Sequence, residues 1–82
     1  MNNIAILSIK HFTAFNQVVE DYKSLLFYEQ ELINYEDDKR KASYERVKKE
    51  IIFLLKRIIK NKDILEENTK ADQEYLNKLI GQ

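Results

Sequence analysis

The chain has 82 residues with no Cys and no Pro, and its single Gly is Gly81. A chain of this length forms one small domain, and without Cys it holds neither a disulfide nor a Cys-ligated metal. Proline and glycine are the strongest interruptions of regular structure, so their scarcity predicts long uninterrupted helices. The 14 basic and 14 acidic residues cancel, which is a poor balance for attraction to a polyanion.

The charge is distributed unevenly along the chain. Residues 1–38 carry two basic and seven acidic residues, residues 39–62 carry ten basic and two acidic, and residues 63–82 carry two basic and five acidic. The chain is therefore a basic segment between two acidic ones. One interpretation is that neighbouring helices neutralise each other, and the other is that the basic segment binds an acidic partner.

The sequence has no segment typical of a membrane span or a signal peptide. The longest fully apolar run is residues 51–55, far shorter than the ~20 residues that cross a bilayer. Residues 1–12 have no basic residue ahead of their apolar run and no small-residue cleavage site. We therefore expect a cytoplasmic protein with no transmembrane segment.

Apolar residues recur at helical spacing from the N-terminus to about residue 35. The stripe is centred on Tyr22 and comprises Ile4, Phe15, Val18, Val19, Leu25, Leu26, Leu32 and Ile33. This period predicts a first helix over about residues 3–35. Residues 4–9 also fit a short strand, but the sequence offers no second strand to pair with it, so we expect a helix there.

A second apolar stripe begins after a polar stretch and is one residue out of phase with the first. Its members are Tyr44, Val47, Ile51, Leu54, Leu55, Ile58 and Leu65, widened by Ile52 and Ile59. The change of phase predicts a turn within residues 34–43. It also predicts a second helix over about residues 38–62, with Asp37 or Asp38 as its N-terminal cap.

The last part of the chain allows two interpretations. Thr69 and Asp72 resemble a capping box with Asp in place of the usual Glu. A final apolar patch consists of Tyr75, Leu76, Leu79 and Ile80. Together these features predict a C-terminal helix over about residues 69–80. The alternative is that the second helix continues, because Leu65, Leu76 and Ile80 remain in phase with Ile51.

We therefore predict an all-α fold over residues 1–82, either a long helical hairpin or a three-helix bundle. Two amphipathic helices have too few faces to enclose their own core. We accordingly expect a hairpin to homodimerise into a four-helix bundle. Self-association would also supply stability that a chain this small lacks by itself.

The sequence contains no arrangement typical of an enzyme. Nucleophilic catalysis needs a nucleophile beside a base. The single histidine, His11, falls on the stripe of the first helix, where we expect a packed or half-exposed residue. Adjacent acidic residues point about 100° apart on a helix and chelate poorly, and the Glu-x-x-His pairs of di-iron bundles are absent. We predict no catalytic residue, no metal site and no cofactor.

Phe53 falls in the middle of a basic helical face, about 180° from the apolar stripe of the second helix. The basic residues around it are Arg46, Lys49, Lys56, Arg57 and Lys60. The outer face of the first helix is acidic and carries Tyr28 and Tyr35 one heptad apart. Both faces carry aromatic rings of the kind enriched at interfaces, and their charges are complementary. We predict that they bind a partner, either a second copy of this chain or an acidic helix of another protein.

Other interpretations of the basic face remain open. Basic residues with an interleaved aromatic ring bind single-stranded nucleic acid, and a basic amphipathic helix lies well on an anionic membrane. The second helix could also be an ordinary bundle helix whose Lys stems cover apolar surface. This interpretation ranks ahead of both nucleic-acid binding and membrane binding. A small nucleic-acid-binding protein is the alternative function.

The bias toward Asn, Lys, Ile and Tyr indicates an AT-rich genome, such as that of a phage or a low-GC bacterium. In length and overall character the chain resembles the cytoplasmic lysis-inhibition accessory protein of T-even phages. No diagnostic motif aligns, so the resemblance assigns no role to any residue. It implies a non-enzymatic regulator that helps to hold a holin inactive by contacting its cytoplasmic part, within the host cytoplasm.

Overall fold

The computed structural model describes the backbone of residues 2–38 and 41–81 and the side chains of residues 9–35 and 42–81. Three helices account for most of the described residues, and no strand occurs among them. They are α1 (Asn2–Asp38), α2 (Lys41–Ile64) and α3 (Lys70–Ile80). The prediction of an all-α fold is confirmed, and residues 4–9 are helical.

α1 and α2 form a hairpin, and α3 folds back against α2. The molecule is elongated, with Cα extents of 56 × 20 × 15 Å. α1 spans the long axis, because its 37 residues rise about 1.5 Å each. α2 has only 24 residues, so the N-terminal part of α1 projects past the end of α2.

The core lies between α1 and α2 and is completed by one residue of α3. Its buried apolar residues are Leu25, Val47, Ile51, Leu54, Leu55, Ile58 and Leu79. Five of these belong to the stripe predicted for α2, and that prediction is confirmed. A fully buried side chain of this size stabilises the fold by about 1.5–3 kcal/mol, so α2 contributes most of the hydrophobic stability.

The stripe predicted for α1 is only partly correct. The α1 residues that line the seam with α2 are Ala14, Val18, Asp21, Leu25, Tyr28, Leu32 and Tyr35. These positions alternate steps of four and three residues, the spacing of a heptad seam. The residues wrongly predicted to be buried are Phe15, Val19, Leu26 and Ile33, all of which are exposed. α1 is apolar on two faces, so the helical period alone did not identify the packed one.

The end of α1 and the start of α2 both fall inside the segment predicted to hold the turn, but the predicted cap is wrong. α1 continues to Asp38, so Asp37 and Asp38 are its last residues rather than the cap of α2. α2 begins at Lys41, and residues 39–40 lie outside the described residues.

α2 ends in a Schellman motif, so it does not continue to the C-terminus. The Glu67 N–H donates to the Lys62 carbonyl at 2.9 Å and the Glu66 N–H donates to the Asp63 carbonyl at 3.1 Å, the paired bonds of this motif. Glu66 has a φ of 59°. This left-handed conformation costs a residue with a side chain roughly 1–2 kcal/mol.

The predicted capping box of α3 is wrong. Thr69 makes no side-chain bond to the helix terminus, and its hydroxyl instead accepts a hydrogen bond from Gln73 Nε2 at 2.7 Å. The Asn68 side chain instead caps one backbone N–H at the start of α3, because its Oδ1 accepts a hydrogen bond from the Lys70 N–H at 2.8 Å. Asp72 is not available as a cap because its carboxylate binds side chains of α1 and α2.

Glu66→Gly is expected to stabilise the chain by about 0.5–1 kcal/mol, because Gly adopts a positive φ without the Cβ clash and its larger unfolded-state entropy offsets only part of that gain. Urea denaturation measures the change. The matched control is Glu67→Gly at the adjacent position, which should be neutral or destabilising. A Glu66→Gly protein less stable than the wild type would contradict the role assigned to this turn.

Candidate functional site

A buried carboxylate joins α1 to α2. Asp21 lies at a core-facing position between Val18 and Leu25, and its side chain is only 2% exposed. Arg57 of α2 binds it with two hydrogen bonds, from Nε to Oδ2 at 2.9 Å and from Nη2 to Oδ1 at 2.7 Å. Gln17 Nε2 donates a third, at 2.9 Å. The buried charge is therefore fully partnered, which such a charge requires.

The same guanidinium holds the ring of Phe53. The Arg57 Cζ lies 5.0 Å from the centroid of that ring, within the range of a cation–π interaction. Hydrogen bonding to Asp21 raises the pKa of Arg57, so the charge over the ring is permanent. Phe53 remains 56% exposed. One face of the ring is thus covered by the guanidinium, and the rest is open to solvent.

Exposed basic residues surround this ring on the outer side of α2. Together with Phe53 they form the surface called here the basic face, which consists of Arg46, Lys49, Phe53, Lys56 and Lys60. Among the side chains that the structure describes, none forms an ion pair with Lys49, Lys56 or Lys60. The basic face therefore combines one exposed aromatic ring with exposed positive charges.

Three residues predicted for the partner-binding faces lie elsewhere. Arg57 reaches across the seam to Asp21 and is not part of the outer face. Tyr28 and Tyr35 are half-buried and pack against the core, so their predicted outward placement is wrong. The cause is the one-residue shift of the α1 seam, because positions 28 and 35 continue the heptad that contains Asp21. His11, predicted to be packed or half-exposed, is exposed.

A second buried carboxylate fastens α3 to the hairpin, and the sequence reading did not identify it. Asp72 is 8% exposed and accepts hydrogen bonds from Tyr22 Oη at 2.7 Å and Lys62 Nζ at 2.8 Å. Lys62 Nζ also lies 5.0 Å from the Tyr22 ring centroid. One side chain from each helix meets at this point, so the cluster sets the position of α3.

The Asp72 cluster borders an open cavity of about 400 Å³. Burial raises the pKa of the Tyr22 hydroxyl, and the neighbouring Lys62 offsets only part of that effect. Burial lowers the pKa of the Lys62 ammonium, but hydrogen bonds to Asp72 and Tyr22 outweigh it and the net pKa is raised. Both groups keep their protons at neutral pH, so neither supplies the deprotonated base or nucleophile that catalysis needs.

The described residues show neither a metal-binding cluster nor a membrane-spanning helix. Within residues 9–35 and 42–81, no group of three His, Asp or Glu side chains is placed to hold a metal ion. No helix within residues 2–38 and 41–81 is long and apolar enough to cross a membrane. Every buried side-chain nitrogen or oxygen that the structure describes has a hydrogen-bond partner, so no orphaned polar group marks a ligand position in this part of the chain.

No protein-family model, curated protein or solved structure matches this chain. The class established by the fold is an all-α bundle in which α2 packs against both α1 and α3. The candidate functional features of the chain are the basic face, the two buried carboxylates and the exposed surface of α1.

Arg57→Leu is expected to lower the free energy of unfolding by about 3–5 kcal/mol, because it leaves the Asp21 carboxylate buried with only Gln17 as a partner. Asp21→Leu should cost less, since the Arg57 side chain is already 39% exposed and can turn to water. Urea denaturation of both variants measures the difference.

The double variant Asp21→Leu/Arg57→Leu is the matched control, and it should be more stable than Arg57→Leu alone because no unpaired charge remains buried. If the two single losses simply add in the double variant, the pair is not coupled in the way the hydrogen bonds indicate.

The chain is expected to lose stability between about pH 10 and pH 12. Burial, reinforced by the adjacent Glu29, raises the pKa of Tyr75 from 10.0 to about 12. The unfolded state therefore releases the phenolic proton first. The stabilisation from the neutral ring is complete below pH 10 and is lost as the pH rises through 12. The raised pKa values of Tyr22 and Lys62 act in the same direction.

Urea denaturation at several pH values in this window measures the loss, with Tyr75→Phe as the control. Phe keeps the ring but does not titrate, so its stability should fall less steeply with pH. Parallel curves for the two proteins would assign the alkaline loss to groups other than Tyr75.

Proposed function

We propose that this chain is a small non-enzymatic regulatory protein that acts by binding another protein through the basic face of α2. The observation that carries the proposal is the exposed ring of Phe53 with the Arg57 guanidinium over one face. Arg57 holds the ring from one side and is itself anchored to the buried Asp21. A ring that already packs against an anchored guanidinium loses less conformational entropy on binding than one without a neighbour, and aromatic anchors dominate the energetics of many interfaces.

The charges of the basic face favour an acidic partner. Lys49, Lys56 and Lys60 are exposed around the ring, so an acidic surface with an apolar pocket would meet complementary chemistry. Such charges accelerate association and determine partner choice more than they raise affinity. The flexible Lys stems also cover apolar surface at the edge of a contact.

The resemblance to the lysis-inhibition accessory protein of T-even phages makes the proposal specific. In this version the partner is the cytoplasmic segment of a holin, and the chain acts in the host cytoplasm to keep that holin inactive. Length and overall character support this version, and so does a binding face that requires no cofactor or substrate.

Calorimetric titration with a synthetic peptide of a T-even holin's cytoplasmic segment tests this version. The wild type should bind with a dissociation constant in the micromolar range or tighter. Phe53→Ala and Lys56→Glu should each weaken binding by about tenfold or more, because one removes the aromatic anchor and the other opposes the partner's charge.

Lys70→Glu is the matched control, because Lys70 is an exposed lysine of α3 outside the basic face and its loss should leave the affinity unchanged. Absence of binding by the wild type contradicts the holin version. Equal affinities for the wild type and Phe53→Ala contradict the assignment of the contact to the basic face.

The alternative function is binding of single-stranded nucleic acid by the same face. Phosphates would meet the lysines, and one base would stack on the open side of Phe53. A single exposed ring offers only one stacking position, and the net charge of zero gives little long-range attraction. Titration of a labelled single-stranded oligonucleotide tests whether the basic face binds nucleic acid. Binding that weakens steeply with salt and is reduced in Phe53→Ala would favour this function over protein binding.

A further inference from the structure

α1 carries a second apolar face that no described residue covers. It is called here the α1 stripe and consists of Ile9, Phe12, Phe15, Val19, Leu26, Phe27 and Ile33. These side chains are between 36% and 70% exposed. Within the stripe, one row repeats every seven residues and comprises Phe12, Val19, Leu26 and Ile33. A seven-residue repeat of apolar side chains is the spacing that packs along another helix.

The α1 stripe occupies the part of the helix circumference that α2 and α3 leave free. The seam with α2, which includes Leu25, lies on roughly the opposite side of α1 from the stripe. Tyr22, between the two, is bound to Asp72 of α3. α1 thus has one side against α2, one edge against α3 and a third side open along its length.

The size of the α1 stripe fits an interface between two proteins. A fully exposed Phe presents about 150–250 Å², so the three Phe rings of the stripe expose roughly 350 Å² together. With the four aliphatic side chains the stripe exceeds the few hundred Å² of apolar patch that a monomer ordinarily shows. The exposed apolar area of the stripe is therefore close to the about 800 Å² that each partner buries in a standard interface.

We propose that the α1 stripe binds a second copy of this chain, packed antiparallel along α1. With a two-fold axis between residues 22 and 23, Phe12 lies opposite Ile33 of the second copy, and Val19 lies opposite Leu26. Each contact then occurs twice, so the stripe is complementary to itself, as a two-fold interface requires. The inference goes beyond the proposed function, because it assigns a different helix and a different surface from the basic face.

The charges beside the stripe balance in the antiparallel arrangement. Lys23 lies near the proposed axis and pairs with Glu20 of its own helix at 3.6 Å, with side chains 70% and 69% exposed. In an antiparallel dimer each Lys23 also lies close to Glu20 of the second copy. The two Lys23 side chains meet at the axis, and the two Glu20 carboxylates beside them offset the repulsion. In a parallel dimer Glu31 of one copy would instead lie near Glu29 of the other. Like charges in such positions weaken association.

Size-exclusion chromatography with light scattering tests the dimer on the full-length protein. At about 100 µM, well above the Kd of a standard-size interface, the wild type should have twice the chain mass of 9.9 kDa. Leu26→Glu should be monomeric with unchanged helix content, because Leu26 is 70% exposed in the single chain. Its dissociation constant should rise by about 100-fold or more, since each dimer loses two buried Leu side chains.

Phe53→Glu is the matched control, because it places the same charge at an exposed apolar residue of the basic face, outside the stripe. It should remain a dimer. A monomeric wild type would overturn the inference, and so would a dimer that Phe53→Glu dissociates and Leu26→Glu does not. Neither result bears on binding of a holin peptide, which is measured separately with Lys56→Glu.

Disulfide cross-linking tests the orientation, because the natural chain has no Cys. In the antiparallel dimer, a mixture of Val19→Cys and Leu26→Cys proteins should form the mixed disulfide in preference to either homodimer, since positions 19 and 26 face each other and like positions are too far apart to bridge. In a parallel dimer each variant would cross-link with itself, and this result would overturn the proposed arrangement.

Discussion

The buried pair of Asp21 and Arg57 constrains the register between α1 and α2. The Asp21 carboxylate lies in an otherwise apolar seam and is satisfied only where Arg57 reaches it. Sliding α1 by one helical turn would bury that charge without its partner, at a cost of about 3–5 kcal/mol. Apolar side chains tolerate many registers, whereas a bidentate ion pair tolerates one. The pair therefore selects both the register of the hairpin and the face of α1 that enters the core.

The other surfaces follow from this register. Arg57 is held over Phe53 because its guanidinium is anchored at the seam, so the buried ion pair places a charge beside the exposed ring. A second carboxylate, Asp72, repeats the principle by joining α3 to Tyr22 and Lys62. Two buried carboxylates thus supply the directional contacts, while the apolar residues of α2 supply most of the hydrophobic stability.

The basic face and the α1 stripe lie on opposite outer sides of the hairpin, because each is turned away from the seam. A partner on one surface therefore leaves the other free, and an antiparallel dimer along α1 would present two copies of the basic face. In a domain this small, a helix has too few neighbours to bury two apolar faces. The chain keeps one for its own core and leaves the second exposed.

The sequence by itself determined the all-α fold, the seam of α2 and the exposure of the basic face, because α2 has a single apolar face and its helical period admits one orientation. The helical period did not identify which face of α1 is buried, because α1 has two apolar faces. Only contact with α2 selects between them. That choice moved Tyr28 and Tyr35 inward and left Leu26 in solvent. The left-handed conformation of Glu66 could not be predicted from the sequence either, because no Gly stands at that position. The hydrogen bonds of the turn form only where α2 ends. Helical period and composition are local properties, whereas the burial of Asp21 depends on Arg57, a residue far along the chain that only the folded hairpin brings beside it.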